Sequence, residues 1–186
     1  MAFARPKKRE PVGESGLFEY AVGTLARKMR TVRDLKRLMR PRAMEGAEGE
    51  RDMDAVVARL IELKYLSDTR FAQDYTRMRK ENQGFGRRRV QQDLAMKGVD
   101  KELVSSTLAA AYDETDEVAL ARTYCERKRI KQPAGPDVQK ETARVMNRLL
   151  RAGYGSNAII KLLRSWKIEV PAEVSDGGEE YCLPEF

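Results

Sequence analysis

A spaced set of apolar residues and glycines occurs repeatedly in this chain. Val90, Leu94, Gly98, Val104 and Leu108 are matched by Val145, Leu149, Gly153, Ile159 and Leu163, each 55 residues later. Leu35 and Met39 precede Val90 and Leu94 by the same 55, whereas Val56 and Leu60 precede Val104 and Leu108 by 48. The offset changes by 7 across the hydrophilic stretch Met44–Glu50, which reads as a loop insertion. Three copies of one unit of roughly 50 residues follow, and repeats of that length stack supersecondary units along an extended surface. Such surfaces suit long partners better than small substrates.

The periodicity within each copy is helical. Phe18, Ala21, Val22, Leu25 and Met29 share one face of a helix near Leu17–Arg30. Thr31 reads as the N-cap of a short helix over 32–40, with Leu35, Leu38 and Met39 inward and Pro41 as its stop. Asp52 then caps a helix whose Val56, Val57, Leu60, Ile61 and Leu63 face the core. In the second copy, a helix from Ser67-Asp68 buries Phe71, Ala72, Tyr75 and Met78 and breaks at Gly84-Phe85-Gly86. Arg87–Met96 follows with Gly98 as its C-terminal stop, and Asp100 caps a helix built on Leu103, Val104, Leu108 and Ala111. The third copy repeats this order as Asp116–Ile130, a Pro133-Gly135-Pro136 loop, Asp137–Ala152 with Gly153 as stop, and Ser156–Trp166.

The expected fold is therefore all-α: three tandem three-helix, helix-turn-helix-like repeats over 17–66, 67–113 and 114–168, forming an elongated curved rod. A basic arm over 1–16 and an acidic, glycine-rich tail over 169–186 read as disordered. A unit this small buries its apolar face poorly alone, so neighbouring repeats are expected to share a core.

Charge narrows the partner. The net charge is +7 and 35% of residues are charged, against about 25% in ordinary domains, which favours an acidic partner or simply a solvated surface. Cys125 and Cys182 form neither a disulfide framework nor a metal set and suit a reducing cytoplasm. No apolar run approaches the ~20 residues that span a bilayer, and Met1–Glu10 lacks the apolar centre of a signal peptide.

Catalysis has few candidates. The chain has no histidine, which removes the commonest general base, the Ser-His and Cys-His pairs and most zinc sites. Asp113, Glu114, Asp116 and Glu117 sit at a helix junction and a helix start, where acids favour the dipole, rather than in a metal cluster. No enzyme activity, metal or cofactor is expected. Gly84-Phe85-Gly86 resembles a phosphate loop, but Arg89 replaces the third glycine and no GK[ST] follows. What remains is a helix start followed by Arg87, Arg88 and Arg89, where free backbone N–H groups and three guanidiniums suit a phosphate or carboxylate. The bland alternative is a solvated basic face. If the arginines serve a partner, replacing all three with Glu should leave the helix as stable or slightly more so.

Other cations recur at matching places. Arg27, Lys28, Arg30 and Arg33 bridge the first two helices, followed by Lys36, Arg37 and Arg40. Arg77, Arg79 and Lys80 end the first helix of the second copy, and Arg127, Lys128, Arg129 and Lys131 end its counterpart in the third. Cations near helix C-termini are stabilising without any ligand, yet their recurrence describes a band that follows a polymer.

Lys64-Tyr65-Leu66-Ser67-Asp68, Arg70-Phe71-Ala72, and Gly84-Phe85-Gly86-Arg87-Arg88-Arg89-Val90-Gln91-Gln92-Asp93-Leu94 ending at Lys97-Gly98 resemble the central signature of the RecX family, regulators of the bacterial recombinase RecA. The resemblance covers roughly 17–167, with Lys64 where a glycine is usual and an enlarged loop in the first copy. It implies a non-enzymatic helical-repeat protein, a monomer lying in the groove of the RecA–single-strand DNA filament. There it would depress ATP hydrolysis, strand exchange and co-protease action, and so act in recombination, repair and the SOS response. It carries over Arg87, Arg88, Arg89 and Lys97 as partner-binding residues. The competing reading is a protein that binds DNA phosphates directly through the same basic band. Against it stands the scarcity of aromatic residues interleaved with the cations for base stacking.

Overall fold

A computed structural model describes residues 10–168 of the chain. The basic residues before Glu10 and the acidic tail from Glu169 lie outside it, as does Cys182. The described residues form nine α-helices and no strand: α1 Glu14–Arg27, α2 Val32–Met39, α3 Ala47–Glu62, α4 Asp68–Glu81, α5 Arg87–Met96, α6 Lys101–Tyr112, α7 Glu117–Arg127, α8 Val138–Arg151 and α9 Ser156–Ser165. They fall in sequence into three sets of three, as the repeat requires. Every apolar residue of the repeat register is buried: Leu35, Met39, Val56 and Leu60, then Val90, Leu94, Val104 and Leu108, then Val145, Leu149, Ile159 and Leu163.

The helix ends follow from local chemistry. Thr31 Oγ1 accepts the Asp34 N–H of α2 at 3.1 Å. Asp100 accepts the N–H groups of Glu102 and Leu103, and Asp116 those of Val118 and Ala119. Gly98 and Gly153 occupy left-handed backbone, at φ +74° and +91°. Each closes its helix with paired reverse hydrogen bonds: Gly98 N–H to Ala95 and Val99 N–H to Leu94, and Gly153 N–H to Leu150 and Tyr154 N–H to Leu149.

Several boundaries and faces differ from expectation. Residues 14–16, assigned to the arm, are the first turn of α1. That helix ends at Arg27 because Lys28 is extended (φ −161°, ψ 135°), so its periodicity never reaches Met29, which is 45% exposed. Met44–Glu50 is not a loop: α3 already begins at Ala47, with Gly46 as N-cap at φ +82°, and Asp52 lies inside the helix. Gly49 permits this early start, since a Cβ there would lie 1.9 Å from the Met44 carbonyl oxygen. Glu48 and Glu50 in that first turn complement the dipole. The buried stripe of α3 is Met53, Val56, Val57 and Leu60, which turns Ile61 and Leu63 out to solvent. Val22 and Met78 are likewise exposed, and Thr76 takes the buried place in α4.

The described residues divide into two compact units. One comprises residues 10–74 together with Leu94–Val104, the other Tyr75–Asp93 together with residues 105–168. The middle copy is thus shared between them. The first unit has an aliphatic core of Leu17, Leu35, Met39, Met53, Val56 and Leu60, roofed by Arg42 over Tyr20 and Arg59 over Phe18. Its residues from the middle copy are tied to α2. Asp68 accepts the Val32 N–H at 2.9 Å, and buried Thr31 donates to the Lys97 carbonyl at 2.8 Å. The second unit packs Ala121, Tyr124, Leu149, Tyr154, Ile159, Leu162 and Leu163, with Phe85 against them.

Candidate partner-binding surface

The Gly84-Phe85-Gly86 turn is built, not loose. Gly84 has φ +66°. Its carbonyl accepts the buried hydroxyl of Tyr154, which also donates to Leu120. The carbonyl of Phe85 accepts the Tyr112 hydroxyl at 2.8 Å. Burial pushes both phenols above their ordinary range, so each remains a neutral donor.

Two of the amides expected to be free at the start of α5 are taken. Gly86 N–H donates to the Ala152 carbonyl at 2.9 Å and Arg88 N–H to the Gly153 carbonyl at 3.2 Å. The negative end of α8 thus lies on the positive end of α5, which satisfies both electrostatically without an anion. The approach requires glycine on both sides: a Cβ on Gly86 would stand 2.3 Å from the Gly153 oxygen, and one on Gly153 would stand 2.3 Å from the Arg89 nitrogen.

The three arginines beside it separate. Arg88 is exposed, and Arg87, 45% exposed at its side chain, pairs with Asp113 at 3.1 Å. Arg89 instead turns to Asp93, 3.2 Å from Nε to Oδ1, a contact with ion-pair distance but not hydrogen-bond alignment. Asp93 is 4% exposed. It also holds Arg79 at 3.0 Å and accepts the Tyr75 hydroxyl at 3.1 Å, while Arg79 donates to that hydroxyl. Glu in place of Arg89 would face this buried carboxylate, so reversal of all three arginines would not leave the helix unharmed, contrary to expectation.

Other predicted cations divide in the same way. Lys80 Nζ donates to Ala111 O at 2.5 Å and to Thr115 Oγ1 at 2.7 Å. Arg127 donates to the Glu81 carbonyl at 2.5 Å, and Lys128 lies over the Tyr124 ring. Arg129 is exposed at left-handed φ +51°, as is Arg77 on α4 in ordinary helical backbone. In the first unit, Lys97 Nζ lies 3.9 Å from Asp34 and over the Phe71 ring. The aliphatic stem of Arg33 covers Gly98, which brings these two predicted cations to one α-helix end. Arg27 and Lys28 are exposed, and Arg30 is half-buried. The acidic residues at the junction of α6 and α7 have separate duties: Asp113 pairs with Arg87, Asp116 caps α7, and Glu117 accepts the Gly155 N–H at 2.7 Å.

Sequence reasoning missed Arg148 and Arg151. They line a cavity of about 380 Å³ in the second unit with Phe85, Arg89, Tyr124 and Ala152. Both lie in the last turn of α8, where cations are stabilising without any ligand.

The fold and this surface define a class: a tandem three-helix-repeat protein with a basic, carboxylate-interrupted exterior. The model of the RecX second three-helix domain matches residues 67–108. The regulatory protein RecX of Stenotrophomonas maltophilia is 32% identical over 86% of this chain and 89% of its own length. That of a Mycobacterium species (strain JLS) is 28% identical over 83% of each. The crystal structure of RecX from Lactobacillus salivarius superposes with TM-score 0.63 at 18% identity, covering 83% of this chain and 96% of that one. The chain belongs to the RecX family of regulatory proteins.

Proposed function

We propose that this chain is a negative regulator of the RecA recombinase that binds in the groove of the RecA–single-strand DNA filament. There it restrains ATP hydrolysis, strand exchange and co-protease action. The observation that carries the reading is the match of the RecX second three-helix domain to 67–108, the segment that holds exposed Arg87 and Arg88. Similarity over 83–86% of the chain to proteins named regulatory protein RecX supports it.

The contact residues we assign are the exposed cations of each unit: Arg27, Lys28 and Arg33, with Lys97 beside Arg33, in the first, and Arg77, Arg87, Arg88, Arg127, Lys128 and Arg129 in the second. Arg79, Lys80 and Arg89 are engaged within the second unit, and Arg30 is half-buried in the first. Cations of this kind steer a basic protein to an acidic polymer and raise its rate of association. The protein acts as a cytoplasmic monomer.

Titration into RecA filaments on single-stranded DNA tests the proposal through the rate of ATP hydrolysis. The rate should fall with added protein, and Arg87→Glu/Arg88→Glu should require about tenfold more protein for the same effect, as expected of charge reversal in a complementary interface. An unchanged hydrolysis rate at saturating protein overturns the reading.

A further inference from the structure

The second unit contains a cavity whose chemistry the RecA reading does not use. Its six lining residues are Phe85, Arg89, Tyr124, Arg148, Arg151 and Ala152, and no carboxylate is among them. Arg89 is engaged by Asp93. Arg151 only touches the Asn147 carbonyl of its own helix at 3.2 Å, and Arg148 makes no ion pair among the described residues. Cations in a last helical turn are ordinarily explained by the exposed carbonyls there. Here the carbonyls of Arg148, Leu149 and Leu150 accept from Ala152, Tyr154 and Gly153, and those of Ala152 and Gly153 accept from Gly86 and Arg88. The end of α8 is already capped, so capping does not account for Arg148 and Arg151, both of which are exposed; Arg148 also pulls weakly on the Cys125 thiol.

Two of the lining residues are aromatic. The Phe85 and Tyr124 rings lie 6.3 Å apart, tilted by 40°; Phe85 is half-buried, with the Arg79 and Arg89 guanidiniums 5.3 and 5.9 Å from its ring centroid. We propose that this cavity is a subsite for one nucleotide of a single-stranded nucleic acid, its phosphates on Arg148 and Arg151 and its base against Phe85. A carboxylate or a bare phosphate needs the guanidiniums but not the ring. A base freed from a duplex presents a π-face that both an aromatic ring and a guanidinium plane accept. A base paired in a duplex cannot enter the cavity.

The test uses the full chain without RecA, so its failure leaves the RecA reading untouched. Fluorescence anisotropy measures binding of a labelled oligothymidylate, an abasic oligomer of equal charge and a duplex, each over a salt series. Arg148→Gln/Arg151→Gln should weaken oligothymidylate binding about tenfold and lower the salt slope by about 1.4, some 0.7 for each single-strand phosphate that an arginine no longer neutralises. Phe85→Leu keeps an apolar residue at the turn and should weaken binding to oligothymidylate but not to the abasic oligomer. Circular dichroism confirms that each variant is folded. Parent-like affinity of the double variant overturns the proposal, and so does equal binding of abasic and base-bearing strands or equal competition by polyglutamate.

Discussion

The interior of each compact unit is held together by different means. In the first, an aliphatic core carries the packing, and polar side chains only close a helix end: Thr31 and Asp68 on α2. Its clearest ion pairs, such as Arg40–Glu50, lie at the surface with side chains 63% and 48% exposed. In the second, tyrosine hydroxyls, a glycine-to-glycine contact and the buried carboxylate Asp93 thread the apolar core. An aliphatic core tolerates local change in proportion to the volume lost. A core that contains satisfied polar groups fails when any one partner is removed.

The contrast breaks most readily at Gly153. Gly153→Ala combines a left-handed φ of +91° with a Cβ 2.3 Å from the Arg89 nitrogen, and should cost roughly 3–5 kcal/mol from strain and overpacking together. Trp166, the only tryptophan, lies in the second unit, so denaturant unfolding followed by its fluorescence reads the loss. A midpoint equal to that of the parent would refute the glycine contact.

Next comes Asp93→Ala, which strands the Arg79 and Arg89 guanidiniums. Removal of one partner of a buried pair costs about 3 kcal/mol, whereas Glu50→Ala in the first unit should cost under about 1 kcal/mol. Equal losses in the two variants, measured by the same denaturant titration with circular dichroism, would erase the distinction. A smaller effect, about 1 kcal/mol, is expected for Thr31→Ala, which removes an N-cap and the hydrogen bond to Lys97.

The smallest effect is in pH. Burial pushes the Cys125 thiol from 9.0 up to about 11, against a lesser opposing pull from Arg148. The folded state then keeps its proton where the unfolded chain has released it, so the second unit loses stability as pH rises from about 9 to about 11 and gains none below that window. Cys125→Ala should flatten that slope in thermal melts taken across the range. Native Cys125 should also resist alkylation at neutral pH, as peptide mapping would read.

Much of this molecule was legible before folding. The 55-residue register placed twelve buried residues correctly, and Thr31, Asp100, Asp116, Gly98 and Gly153 marked helix ends where the structure has them. Asp93 was not legible. Between Gln92 and Leu94 it reads as one more polar residue, and only Tyr75, Arg79 and Arg89 around it make it a buried hub. Nor were Arg148 and Arg151, whose neighbours Phe85 and Tyr124 come from distant segments.

The chain by itself determined its helical class, its repeat and most of its caps, because these depend on residues within one or two turns of each other and on a 3.6-residue period. Tertiary structure alone decided that α3 begins early over Gly49, that α8 closes the end of α5, and that the middle copy is shared between two units. It also decided which cations stay exposed. A guanidinium has the same charge wherever it falls in sequence, and whether it faces solvent, a carbonyl or a buried carboxylate is set by neighbours that only folding brings within a few ångströms.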